Sequence, residues 1–230
     1  GSKNTTSGFA IVKYTGNGTS GHAIPHNLGT APKYMVVKSL ATNDWAVYQQ
    51  GFILNDGNPY NSYMYLNLTD EEHGGSVHWG GQVPGTTTFT VGTSTRTNTN
   101  NQEYIAYVWS EIPGYSKFNT YFGNGNADGP FIYCGFKPAW IMVKTLTSNQ
   151  QGGWQLRDNK RTPAGNLTNN LLYANATSAE QTTDGIDILS NGFKFRNTAG
   201  DNNASGRKYA FFAFAQNPFT SSTGTPVTAR

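Results

Sequence analysis

The stretch Tyr34 to Leu40, YMVVKSL, returns as Trp140 to Leu146, WIMVKTL, each copy introduced by a glycine followed three residues later by a proline. Pro32 and Pro138 lie 106 residues apart, and so do Lys38 and Lys144. A period this long exceeds the roughly 20–50 residues of solenoid repeats and predicts two domain-sized copies. Each copy is about 105 residues, enough to bury a core of its own.

The composition narrows what those copies are. Twenty-seven glycines, ten prolines, 13% aromatic and only 13% charged residues describe strands and turns rather than helices. The matched segments follow one another in order. FAIVKY at Phe9 to Tyr14 precedes the turn Gly16-Asn17-Gly18, and Phe118 to Phe122 precedes Gly123-Asn124-Gly125. Lys38 and Lys144 end the repeated core strand and are expected to reach the sheet edge through their aliphatic stems. The segments around Trp45 and Trp154 form the next matched strand, with both indoles in the core. Tyr65 to Thr69 pairs with Tyr173 to Thr177 as a further short strand, with Glu72 and Glu180 in register beyond. Phe89 to Val91 matches Phe193 to Phe195, before loops at 93–101 and 198–206. Tyr104 to Trp109 matches Tyr209 to Phe214 as the innermost strands, closed by Pro113 and Pro218.

The predicted fold is therefore all-β: two tandem, internally duplicated antiparallel β-sandwich domains of jelly-roll or lectin-like type, over residues 8–112 and 117–219, with a flexible tail at 220–230. A net charge of +3 without a basic run excludes a phosphate-tracking surface, so no nucleic-acid partner is expected. No apolar run is long enough to span a membrane, and no membrane insertion is expected. The single cysteine, Cys134, aligns with Leu28 and reads as a small buried apolar residue.

Quoted together, GFAIVKYTGNG, LGTAPKYMVVK, YIAYVWSEIPGYSKF, NGNADGPFIYCGFKPAWIMVK, DILSNGFKFR and FAFAQNPF resemble a module near the C-termini of large virion structural proteins of tailed bacteriophages. The likeness runs from about Gly8 to Phe219. His26 fits the histidine that this pattern carries before a Gly-Leu-Gly turn, whereas the second copy has Tyr133-Cys-Gly. The resemblance implies a tail-fibre-like module of the virion with no catalytic residues to carry over, expected either to recognise a host cell-surface glycan or to pack against other tail or virion proteins in tail assembly; a third reading is a spacer or oligomerisation unit that forms a homotrimer.

Four histidines, His22, His26, His73 and His78, lie in the first copy, the latter two near Asp70, Glu71 and Glu72. Their spacing matches no ligand signature, so no metal is expected, and no cofactor. Asp128, Asp184 and Asp187 lie near glycines as calcium ligands do, yet the DxDxDG pattern is missing and Asx-turns account for them. No paired carboxylates in strand phase and no GxSxG elbow are present, which makes an enzyme the lesser reading. Glycan binding needs an aromatic platform with convergent polar groups. Because matched positions serve the scaffold, the unmatched Tyr60, Tyr63, His78 and Trp79 in the first copy, and Arg157, Asp158, Lys160 and Arg161 in the second, are the candidate ligand-binding residues. The same aromatics also serve to cover a sandwich edge. The alternative function is a lectin-like carbohydrate-binding or carbohydrate-active protein.

Overall fold

The computed structural model describes residues 1–54, 57–147, 152–161 and 167–217, without the side chains of residues 167 and 184. The expectations for Pro218 and for the tail therefore lie outside the described residues. Among the described residues the chain is all-β and antiparallel, apart from one short 3-10 turn at Pro59–Asn61. It divides into two compact units, Gly1–Glu111 and Ile112–Arg230.

The first unit contains β1 (Ser2–Asn4), β2 (Phe9–Thr15), β3 (His22–Pro25), β4 (Tyr34–Ser39), β5 (Ala46–Gln49), β6 (Ser62–Tyr65), β7 (His73–Gly74), β8 (Thr88–Val91) and β9 (Glu103–Trp109). Seven of them form a sheet in the order β1-β2-β9-β4-β5-β6-β7, and β3 pairs with β8 separately. Alternation along the strands sets the core. Met35 and Val37 of β4, Tyr48 of β5, and Tyr104, Ala106 and Val108 of β9 pack against Ile24 of β3 and Phe89 and Val91 of β8.

The second unit contains β10 (Ser116–Phe122), β11 (Phe131–Tyr133), β12 (Pro138–Thr145), β13 (Gln155–Asp158), β14 (Leu167–Tyr173), β15 (Gln181–Leu189), β16 (Gly192–Phe195) and β17 (Lys208–Ala215). Here one eight-stranded sheet runs β10-β17-β12-β13-β14-β15-β16-β11. Ile141, Val143, Tyr209 and Phe211 from one end of it share a core with Ile132, Ile186, Ile188, Phe193 and Phe195 from the other. The sheet thus curls over and is nearly closed, like a barrel, where two separate sheets had been expected. The reason lies in β14 and β15, seven and nine residues long and paired with a register shift between Thr168 and Asn170, which carry the ladder from one layer to the other. In the first unit the corresponding strand, β7, has only two residues, and the ladder stops there.

Both units close with the same clasp. Tyr14 and Tyr121 donate to the carbonyls of Thr97 and Asn202, each at 2.7 Å. Their rings stack on Tyr104 and Tyr209 at 5.2 and 5.1 Å. The hydroxyls of those second tyrosines donate to Thr95 and Gly200 and accept from the amides of Thr99 and Ala204. The buried Asn98 and Asn203 accept the amides of Asn17 and Asn124 at 2.8 and 3.0 Å. Gly16 and Gly123 are required beside them, because a Cβ at either would collide with the carbonyl of Thr99 or Ala204.

Several local expectations change. Trp154 is buried, but Trp45 is only half-buried, with the Lys38 ammonium 5.8 Å from its ring centroid. Lys38 donates to the carbonyls of Ala41 and Asn43. Lys144 does not reach an edge; it is fully buried and donates to the Thr145 carbonyl. The strand placed at Tyr65 to Thr69 ends at Tyr65, because Asn67 turns its side chain back to accept the Trp45 amide at 2.8 Å. Asn175 does the same for Trp154 at 2.8 Å. Glu72 is buried and accepts the Leu54 amide, whereas Glu180 is exposed and pairs with Arg161.

Candidate functional site

The polar and aromatic residues of the first unit converge around β5, β6 and β7. Tyr63 on β6 lies directly across from His73 on β7, and their rings stack at 5.3 Å and 17°. The same tyrosine stacks on His78 at 3.7 Å and 28°. Tyr65, two residues along and therefore on the same face, carries the Arg96 guanidinium 4.6 Å above its ring. Arg96 arrives from the long loop before β9 and is held by Asp44, whose Oδ2 accepts from Nε at 2.8 Å and Nη2 at 2.7 Å. Asn67 donates to the other Asp44 oxygen at 3.0 Å. His73 Nε2 stands 3.6 Å from Asp70 Oδ2.

The outer members of this group reach solvent. The side chains of Arg96, His73 and Asp70 are 36%, 36% and 39% exposed. Burial works against ionisation of Asp44, but hydrogen bonds from Asn67 and Arg96 and the charges of Arg96 and Lys38 outweigh it and hold the carboxyl below its ordinary value. His78 lies beneath the surface. Burial first, then the charges of Arg96 and His73, lower its pKa to about 3. The hydroxyls of Tyr65 and Ser94 approach its Nε2 at 3.3 and 3.2 Å, and Nδ1 has no hydrogen-bond partner among the described residues.

A serine hydroxyl beside an imidazole has the outline of a nucleophile and base. A general base works best with a pKa near the operating pH. At about 3, His78 is neutral at pH 7 yet far too weak a base to draw the Ser94 proton, and it is closed off from solvent. What the group around it offers instead is a guanidinium, carboxylates and an amide. Such a set hydrogen-bonds to hydroxyl groups, while the rings are already engaged, Tyr63 with His73 and His78 and Tyr65 with Arg96.

Of the residues singled out in the sequence, Tyr63 and His78 are brought together, and Tyr60 packs half-buried against the same core from the 3-10 turn. Trp79 is inside: its indole N–H donates to the Ser62 carbonyl at 3.0 Å and its ring meets Tyr48 edge-on. His78 and Trp79 therefore support the surface rather than line it. In the second unit Arg157 is also buried. It points at the carbonyls of Thr168, Asn169 and Thr183 and donates to Gln155 Oε1. Asp158 caps a turn by accepting the amides of Lys160 and Arg161. Arg161 bridges Asp158 and Glu180 on the surface, and Lys160 is exposed. The four are thus split between the interior and a charged turn.

Asp44, Asn67, Arg96 and His73 were not among the candidates. Asn67 matches Asn175, and its backbone-clamping role is common to both units. Arg96 carried a signal, as an arginine within the Asn/Thr-rich loop. Asp128 accepts from Lys194 and Arg196, and Asp187 from Arg196, so cations already occupy the carboxylates considered for calcium; the side chain of Asp184 lies outside the described residues. Among the described residues no three His, Cys, Asp or Glu side chains are arranged as metal ligands.

The family model described as a domain of unknown function, DUF7483, matches residues 1–218 and so takes in both units. The chain belongs to the DUF7483 family. Neither the curated proteins nor the solved structures contain a significant match to this DUF7483 chain. No helix among its described residues is long and apolar enough to cross a membrane.

Proposed function

We propose that this DUF7483 chain is a non-enzymatic recognition module of a phage virion, carried on a tail-fibre-like protein and built as two tandem copies of one jelly-roll or lectin-like β-sandwich domain, the second copy curled into a nearly closed, barrel-like form. Its ligand in this reading is a host cell-surface glycan, met by the first unit. The observation that carries it is the partly exposed group of Arg96, Asp44, His73 and Asp70 ordered around Tyr63 and Tyr65. The groups are locked by one another before any ligand arrives, which lowers the cost of binding. The virion setting, its tail-protein partners and a homotrimeric state rest on the sequence resemblance.

A glycan array probed with the whole chain, with sedimentation in parallel, tests this. Binding to a defined subset of glycans is the expected result. A chain that binds no glycan yet sediments as a stable trimer would replace recognition with tail assembly.

A further inference from the structure

We propose a second carbohydrate site, on the outer face of β11 and β16 in the second unit, that takes a neutral oligosaccharide. It does not rest on the surface described for the first unit. Phe131 and Tyr133 alternate along β11 with the buried Ile132, and their side chains are left in solvent at 46% and 62% exposure. Burial explains neither ring.

Comparison of the two units sharpens the point. Ile132 pairs with Phe193 as Ile24 pairs with Phe89, so β11 and β16 stand where β3 and β8 stand in the first unit. On that register Ala23 and Pro25 occupy the places of Phe131 and Tyr133, and Thr88 and Thr90 those of Gly192 and Lys194. The first unit carries only small side chains on this exposed face of β3. The aromatic pair is an addition that the scaffold does without.

The rings are also laid down rather than upright. A Cβ on Gly192 would meet Phe131 Cε2 at 3.0 Å, and a Cβ on Gly135 would meet the Tyr133 hydroxyl at 3.5 Å and its ring carbons at 3.8 Å. Each side chain therefore lies down over a glycine, while the residue as a whole stays exposed. They lie two residues apart on one strand, about 6.6 Å, so they underlie a disaccharide or longer chain rather than one sugar. Beside them Lys194 binds Asp128 at 2.7 Å, and Arg196 joins Asp128 at 3.0 Å to Asp187 at 2.6 Å. Two cations balance two carboxylates, which gives a rim able to donate and accept with no net charge. That balance selects a neutral ligand over a polyanion.

The test titrates the whole chain with maltohexaose, cellohexaose, laminarihexaose and xylohexaose, with a heparin hexasaccharide as the anionic comparison, while backbone amide signals are followed. At least one neutral hexaose is expected to shift Phe131, Tyr133, Gly192 and Lys194 saturably. The variant Phe131→Ala/Tyr133→Ala is expected to bind it at least tenfold more weakly, and Arg96→Gln to leave those shifts unchanged. The inference is overturned if no neutral hexaose moves these amides, if heparin binds as tightly, or if the double variant retains wild-type affinity. Loss of the shifts in Arg96→Gln would also overturn it, by assigning them to the first unit. Hydrogen exchange of the Ile132 amide in the double variant reports whether β11 remains paired, and a collapse of that pairing is answered by the milder Tyr133→Ser, held to the same affinity criterion.

Discussion

Replacing Asn98 by alanine is expected to destabilise the first unit by about 3 kcal/mol or more, and Asn203→Ala to do the same to the second. Asn98 is buried. Its Oδ1 accepts the Asn17 amide, and its Nδ2 donates to the carbonyls of Gly92 at 2.6 Å and Thr19 at 2.8 Å. Asn203 accepts the Asn124 amide and donates to Asn197 at 2.6 Å and Asn126 at 2.8 Å. Alanine removes each side chain and leaves its backbone partners unsatisfied, at about 1–3 kcal/mol for each group that water does not reach. Urea denaturation with residue-resolved hydrogen exchange separates the two units. Loss confined to the unit that carries the substitution supports the duplicated clasp; a loss below about 1 kcal/mol in both variants contradicts it.

Acid is expected to weaken the first unit through His78. Its folded pKa of about 3 lies below the ordinary 6.5 of an unfolded histidine, so between those values the unfolded chain binds the extra proton. Stability is then complete above pH 6.5 and is lost as pH falls toward 3, by on the order of 4 kcal/mol. His26, whose pKa burial also lowers, acts in the same direction. Comparison with His78→Gln isolates the one residue, because the variant keeps His26 and lacks the imidazole. Stability measured by urea titration at pH 7 and pH 4 is expected to fall further in wild type than in the variant. Equal falls would mean that the imidazole is not held neutral.

The strands were largely legible because their evidence is repetition. Val36, Val37, Ile141 and Val143 all belong to buried β-strand segments, and a duplicated apolar pattern with conserved turn glycines reads the same way twice. The closure of the second sheet was not legible, since whether β14 and β15 join two layers depends on pairing between strands rather than on either strand's own pattern. Lys144 escaped for a related reason: Lys38 has the same local sequence, yet one ammonium is half-buried and the other enclosed. Of the candidate site, only the way its residues come together can be compared with the sequence. Treating unmatched residues as functional picked out Tyr63, but the same logic took Trp79 and Arg157, which differ between the copies because each fills its own interior. It passed over Arg96 and Asp44, which lie 52 residues apart and meet only in the folded chain. It also passed over Phe131 and Tyr133, whose exposure is visible only once β11 is seen at the end of its sheet.

Calorimetric titration of the strongest glycan from the array into wild type and into the double variant Arg96→Gln/Asp70→Asn tests the proposed recognition surface most directly. Both side chains are more than a third exposed, so the variant is expected to melt within a few degrees of wild type. The account predicts at least a tenfold loss of affinity at that nearly unchanged melting temperature. An affinity within twofold of wild type would contradict it.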